Sequence, residues 1–238
     1  MLPAVAMSGA YEFSPGRAAA ARAAVELIEP GMTVGLGSGR AVWAVIEAMG
    51  ARWAGRPQIR VVVASEATYA IAHAANIEVV QLDGGFELDL AVDGADEVDP
   101  ELRLLKGGGG ALLREKIVAS AARRFVVVAE VSKLVSRLGE TFTLPVEVVR
   151  FGWRDTRRRL ADLLPNAERR SVGDEPYQTD EGHYIFDCEI PADADIERLD
   201  REVKLLPGVV EHGLFLGMAE RALIGEPDGG VRDLTGQP

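Results

Sequence analysis

The stretch that most constrains this chain runs from Ala91 to Ile117, AVDGADEVDPELRLLKGGGGALLREKI. A mostly apolar, strand-like run, Leu88 to Val92, ends in the carboxylate of Asp93, and Asp96 follows close behind. Lys106 then opens a run of four glycines, Gly107 to Gly110, which feeds a helix-like stretch carrying Glu115. A strand ending in charge, a glycine loop and a helix directly after it define a β/α unit. Sheets built from such units bind ligands outside the carboxyl ends of their strands. Glycine lets the backbone approach a ligand closely. A glycine loop entering a helix start also aims N–H groups at one point, which suits an anion or a developing oxyanion.

On that helix, Leu112, Val118 and Ala119 share the face of Glu115, whereas Arg114 and Lys116 do not. A carboxylate on an apolar stripe either reaches an edge as an ion-paired surface residue or is buried. Burial would raise its pKa toward the range of a useful general base.

Strand and helix signals alternate on both sides of this stretch. Ser14-Pro15 is a capping hydroxyl followed by proline at the first helical position, and an Ala-rich helix is expected up to Glu29, before Pro30-Gly31. Met32 to Leu36 reads as a buried strand. GLGSGRA (Gly35 to Ala41) then turns into a helix through Met49, giving a second anion site at a helix start. The loop fails the dinucleotide fingerprint, since the position five beyond Gly35 is Arg40 and five beyond Gly37 is Val42. Strands are expected at Ile59 to Ala64, Ile77 to Gln81 and Phe125 to Ala129, with helices at Glu66 to Ala75 and Ala111 to Ala122. This order predicts a Rossmann-like α/β domain with a mostly parallel sheet. Gly37, Ser65 and Asp93 each follow a strand and are expected to share one crevice, joined by Lys133.

The pattern changes after Leu144-Pro145. Strands at Val146 to Val149, Ala167 to Val172, Tyr184 to Ile190 and Val209 to Phe215 interleave with helices at Thr156 to Leu164 and Ile196 to Leu206. That β-α-β-β-α-β order is a ferredoxin-like α+β unit. The expected division is a catalytic domain of residues 1–143 with 215–238 and a smaller domain of 144–214. The segment Ala222 to Leu234 reads as a hairpin around Pro227-Asp228-Gly229 that returns to the larger domain.

Composition narrows the function. Lys plus Arg number 26 against 37 Asp plus Glu, a net charge of −11, which argues against nucleic acid as a partner. A small anion needs only a local basic pocket. The single cysteine, Cys188, permits no intrachain disulfide and fits a reducing compartment. No apolar run approaches the roughly 18 residues of a membrane span. Residues 1–14 lack the basic start of a signal peptide and read as a loose extension in which either Met1 or Met7 begins the protein. A cytoplasmic location follows. His73, His183 and His212 are scattered without metal-ligand spacing, so no metal and no cofactor is expected. Ser38 and Ser65 lack a hydrolase context, and Arg157-Arg158-Arg159 reads as a solvated helix face.

DGADE, LLKGGGGALLREKI, VVAEVSKLV and LPVEVV, in this order, resemble the ribose-5-phosphate isomerases of the A type, over about Arg17 to Gly230. The resemblance implies metal-independent interconversion of ribose 5-phosphate and ribulose 5-phosphate, in the non-oxidative pentose phosphate pathway, through an enediolate. It implies that Glu115 moves the proton between C1 and C2. Asp93 would assist ring opening with Asp96 beside it, and Lys106 with the amides of Gly107, Gly108 and Gly109 would stabilise the enediolate oxygen. The phosphate would lie on Gly37, Ser38, Gly39, Arg40 and Ala41, with Arg17 and Lys133. A homodimer or homotetramer is expected. One departure stands out: the family loop reads GTGST, whereas here GSGRA keeps a hydroxyl at Ser38 but places Arg40 and Ala41 where Ser and Thr are usual, and Arg17 replaces a lysine. The change falls at the phosphate end. It leaves open an isomerase of a related phosphorylated sugar, a deaminase of amino-sugar phosphates or a CoA transferase, and a non-catalytic sugar-phosphate sensor, which would usually carry a DNA-binding module that this sequence lacks.

Overall fold

The computed structural model describes residues 13–54, 58–83 and 85–235, so the reading of residues 1–12 lies outside it. In chain order the elements are α1 (Pro15–Val25), β1 (Thr33–Leu36), α2 (Gly39–Arg52), β2 (Arg60–Val63), α3 (Glu66–Ala74), β3 (Glu78–Val79), β4 (Leu90–Asp93), β5 (Glu97–Val98), β6 (Leu104–Leu105), α4 (Leu112–Ser120) and β7 (Phe125–Glu130). After a 3₁₀ turn at Val131–Lys133 come β8 (Leu144–Val148), α5 (Trp153–Leu160), β9 (Glu168–Arg169), β10 (Ser171–Val172), β11 (Glu175–Pro176), β12 (Tyr184–Cys188), α6 (Ile196–Lys204), β13 (Val209–His212), β14 (Leu214–Phe215), β15 (Arg221–Gly225) and β16 (Val231–Thr235).

Seven strands form the main sheet in the order β16-β15-β7-β4-β1-β2-β3, all parallel except the β15–β16 hairpin. Side chains alternate across it, as the strand period demands. Val34, Leu36, Leu90, Val92, Val126 and Val128 pack with α1 and α2. Ala91, Phe125, Val127, Ala129, Ala222 and Ile224 face the other way, into a core with Val118 and Ala119 of α4. With helices on both faces, the central strands are apolar almost throughout, as in doubly wound sheets. From β1 the chain winds outward to β2 and β3, then resumes at β4 on β1's other side. The strand order therefore reverses between β1 and β4, which opens a crevice beyond their carboxyl ends. Both the GSGRA loop and Asp93 sit at that point.

The smaller sheet, β13-β8-β12-β9, is antiparallel, and α5 and α6 cover it. Its core includes Leu105, Val135 and Leu138 from before β8 as well. Cys188 is fully buried there, and burial pushes its thiol up to about 12, an unreactive packed sulfur.

Several elements differ from the sequence reading. The first helix ends at Val25, because Leu27 and Ile28 bond back three residues and tighten the turn. The expected strand Ala167 to Val172 is two pieces. β9 pairs with β12 and β10 with β11, and Arg170 between them points elsewhere. The run Val209 to Phe215 divides at Gly213, which bonds both Pro145 and Lys106, so β14 leaves the smaller sheet for β6. The three-stranded sheet β14-β6-β5 had no sequence signal, because its strands are two residues each.

Candidate active site

At the reversal point lies a cavity of about 270 Å³. Its walls bring together Arg17, Ser38, Gly39, Arg40, Ala41, Asp96, Lys106, Gly107, Gly108, Gly109, Glu115 and Lys133. Gly37 and Asp93 stand immediately behind this wall. Ser65 is elsewhere: its hydroxyl caps α3, accepting from Thr68 N at 3.1 Å, so it does not share the crevice as its place after a strand had suggested.

The floor is a buried charge cluster. The Lys106 ammonium lies 2.8 Å from Asp93 Oδ2 and 3.1 Å from Glu115 Oε2, and donates to Gly94 O at 2.6 Å. The three side chains are 3–5% exposed. Lysine thus supplies the positive charge between two carboxylates. Glu115 occupies the inward face of α4 beside Leu112, Val118 and Ala119. The Ser38 hydroxyl donates to its Oε1, so this hydroxyl orients the carboxylate instead of capping α2.

Asp93 is squeezed from several sides. It accepts from Gly94 N at 2.7 Å and Ser38 N at 3.2 Å. A Cβ at position 37 would lie 1.8 Å from its Cγ, so only glycine fits there. Burial, and then the negative charge of Glu115, push the Asp93 carboxyl up to about 7 against the pull of Lys106. Burial draws the Lys106 ammonium down, but Asp93 and Glu115 outweigh it and hold it above its ordinary value. Asp93 therefore exchanges a proton near neutral pH while Lys106 stays charged.

This has a consequence for stability. Between the ordinary 3.8 and about 7, the folded chain keeps a proton on Asp93 that the unfolded chain releases. Stability is therefore lost as pH rises across that interval. Asp93→Asn leaves one ammonium facing one carboxylate. We expect it to raise Tm at pH 8, with a smaller gain at pH 5. Thermal melts across that range check this, and an unchanged or lower Tm at pH 8 would contradict it.

The opposite end of the cavity is cationic. Arg17, on α1, is held by Glu130 at the end of β7, which also accepts from Ser14. Lys133 comes from the 3₁₀ turn after β7 and Arg40 from the first turn of α2, and neither forms an ion pair among the described residues. The amides of Gly37 and Ser38 are already used, by Val92 O and Asp93. The amides open to an anion at this helix start are those of Gly39, Arg40 and Ala41.

In the second glycine loop, Gly108 N donates to Asp96 Oδ2 at 2.8 Å and Gly110 N to Gly107 O at 3.0 Å. The sequence had offered the loop's amides as a group. Of the amides of Gly107, Gly108 and Gly109, the fold commits that of Gly108, which ties Asp96 to the loop. Three residues not singled out from sequence brace it from outside: Arg170, Asp187 and Tyr177, contributed by the chain of the smaller sheet.

Comparison with known proteins fits this geometry. The family described as Ribose 5-phosphate isomerase A (phosphoriboisomerase A) matches residues 60–229. The chain belongs to the ribose 5-phosphate isomerase A family. A relative named Ribose-5-phosphate isomerase A from Roseiflexus sp. (strain RS-1) is 52% identical over 217 residues, covering 90% of this chain and 93% of that protein. The solved ribose 5-phosphate isomerase A of Methanocaldococcus jannaschii superposes with a TM-score of 0.85 at 36% identity, over 92% of this chain and 97% of that one. A D-ribose-5-phosphate isomerase solved in complex with phospho-erythronic acid gives a TM-score of 0.87 at 33% identity, over 92% of this chain and 97% of that one. The mostly parallel sheet and smaller antiparallel sheets are thus the architecture of ribose 5-phosphate isomerase A structures. Among the described residues no helix is long and apolar enough to cross a membrane.

Proposed function

We propose that this chain interconverts D-ribose 5-phosphate and D-ribulose 5-phosphate, in the non-oxidative pentose phosphate pathway. The observation that carries the reading is the buried Asp93–Lys106–Glu115 cluster at one end of a cavity whose other end is cationic. Phosphate anchored on the Gly39–Ala41 amides, Arg40 and Lys133 extends the sugar toward Glu115. Asp93, protonated below about pH 7, donates to the ring oxygen as the bond from C1 to that oxygen breaks, and takes up the proton that the C1 hydroxyl releases. Glu115 takes the proton from C2 of the aldose. The electron pair moves to the carbonyl oxygen, giving an enediolate whose charge faces Lys106 and the Gly109 amide. Glu115 then returns the proton to C1 while the O2 hydroxyl proton passes to O1, which yields the ketose. Gly37 shapes the site by admitting Asp93, and Asp96 holds the glycine loop.

The test is turnover of ribose 5-phosphate by the purified chain after dialysis against EDTA. Full activity is expected. Activity that vanishes and returns only with a divalent ion would overturn the metal-free mechanism, and faster turnover of another phosphorylated sugar would reassign the substrate.

Arg40 takes the place of the two hydroxyls that the family loop carries. Its guanidinium grips phosphate at two points. It is available because it forms no ion pair among the described residues. Arg40→Ala is expected to raise KM for phosphorylated sugars by about tenfold or more, the loss of a two-point charge-assisted contact. It should weaken inhibition by inorganic phosphate and leave kcat within a few-fold, since the contact exists equally in ground and transition states. Unchanged KM and phosphate inhibition would remove Arg40 from the site.

We take the smaller sheet with α5 and α6 as a separate domain. We take the working form as a cytoplasmic homodimer or homotetramer, which exposed Phe151, Val172 and Leu205 support. A sedimentation measurement decides the assembly.

A further inference from the structure

The carbonyls of the second glycine loop are held from outside the cavity. Arg170 lies between β9 and β10, with its side chain only 15% exposed. Its Nε and Nη2 meet Asp187 Oδ2 and Oδ1 at 2.9 and 2.5 Å, a two-point fork that fixes the guanidinium plane. The remaining nitrogen, Nη1, donates to two consecutive carbonyls, Gly107 O at 2.9 Å and Gly108 O at 3.1 Å. The next carbonyl, Gly109 O, accepts from the Tyr177 hydroxyl at 3.3 Å. That hydroxyl fits because position 110 has no side chain: a Cβ there would lie 2.1 Å from it.

These bonds orient the opposite edges of the same peptides. None of the described peptide bonds is cis. In a trans peptide the N–H points away from the C=O of the same unit. Turning Gly107 O toward Arg170 turns the Gly108 N–H away from it, onto Asp96. Turning Gly108 O toward Arg170 likewise turns the Gly109 N–H away from Arg170, and Gly109 lines the cavity with Lys106 and Glu115. Four flexible glycines would otherwise sample many orientations.

We propose that Arg170, locked by Asp187, is a positioning residue that aims the Gly109 N–H at the developing enediolate oxygen. The proposal rests on the isomerase reading. It makes the smaller sheet part of the catalytic apparatus, acting through the backbone of the loop without touching substrate.

The experiment compares wild type, Arg170→Ala, Arg170→Lys and Asp187→Asn as full-length proteins. It measures kcat and KM for ribose 5-phosphate, inhibition by phospho-erythronate and by inorganic phosphate, and Tm. Phospho-erythronate carries a carboxylate where the enediolate oxygens form, so its affinity follows transition-state stabilisation. Arg170→Ala is expected to lower kcat by about 10- to 100-fold, the scale of a misplaced oxyanion donor. Phospho-erythronate affinity should fall in step, with KM and phosphate inhibition within about threefold. Arg170→Lys, which keeps the charge but loses the fork, and Asp187→Asn, which loosens it, should fall between, in the same ratio of effects. They carry the test should Arg170→Ala not fold. Unchanged kcat, or a parallel fall in kcat, phosphate affinity and Tm, would overturn the proposal and leave Arg170 a plain structural brace. Wild-type protein inert toward ribose 5-phosphate would sink the isomerase reading instead. The selective loss of phospho-erythronate over phosphate affinity would still decide the positioning role.

Discussion

Glu115→Gln is expected to lower kcat by about 10²–10⁴ while KM moves only a few-fold, the usual cost of losing a general base. Glutamine keeps the shape and the acceptor that meets the Ser38 hydroxyl, so packing against Leu112 and Val118 survives. What disappears is a group that can hold the C2 proton. The measurement is steady-state turnover joined to solvent-exchange of the C2 hydrogen. Exchange should fall with turnover, because both pass through the same enediolate. A variant with more than about half of wild-type kcat would make Glu115 a buried ion-pair partner only.

Lys106→Met should cost as much and through two routes. The enediolate loses its cation, worth about 10²–10³ in kcat by analogy with a missing oxyanion donor. The two carboxylates also lose the ammonium that separates them, 2.8 and 3.1 Å away in the wild type. Removing one member of a buried charge set destabilises by about 3–5 kcal/mol, and the pair will then hold a proton at neutral pH. Kinetics and melts read the two effects separately. Because Lys106 stays charged well above neutrality in the wild type, no limb of the wild-type pH–rate profile should belong to it. Near-normal kcat in Lys106→Met would assign the oxyanion to the glycine amides alone.

The buried charge cluster was legible in the sequence because its parts are local. Asp93, Lys106 and Glu115 fall within a short stretch, and the pairing of strand end, glycine loop and helix start leaves few ways to arrange them. The stripe of Leu112, Val118 and Ala119 left Glu115 either at a surface edge or buried, and the structure buries it. The cationic end was half legible. The GSGRA loop announces itself, but nothing near Arg17 says that Glu130, more than a hundred positions away, will occupy its charge. Arg170 was hidden for the same reason. It sits in a run that reads as one strand, and its purpose depends on Asp187 and on a loop in a different sheet. Strands of two residues, such as β5, β6 and β14, lack the length for any periodicity to show. What escapes a linear reading here is pairing across distance, whether between charges or between backbones.

The place of β15 has a consequence for how the protein is made. β7 lies between β4 and β15, and its end carries the Glu130 that grips Ser14 and Arg17. The ribosome delivers β7 about ninety residues before β15, an interval on the order of 5–20 s at typical synthesis rates. Throughout that interval β7 is an apolar strand with an unpaired edge, the kind that recruits other chains. The nascent protein can bury its first helices and lay down the smaller sheet, but the cationic wall of the cavity stays unbuttressed until Arg221–Gly225 emerges and pairs. Over this late window of translation the liability of an exposed strand edge falls on β7.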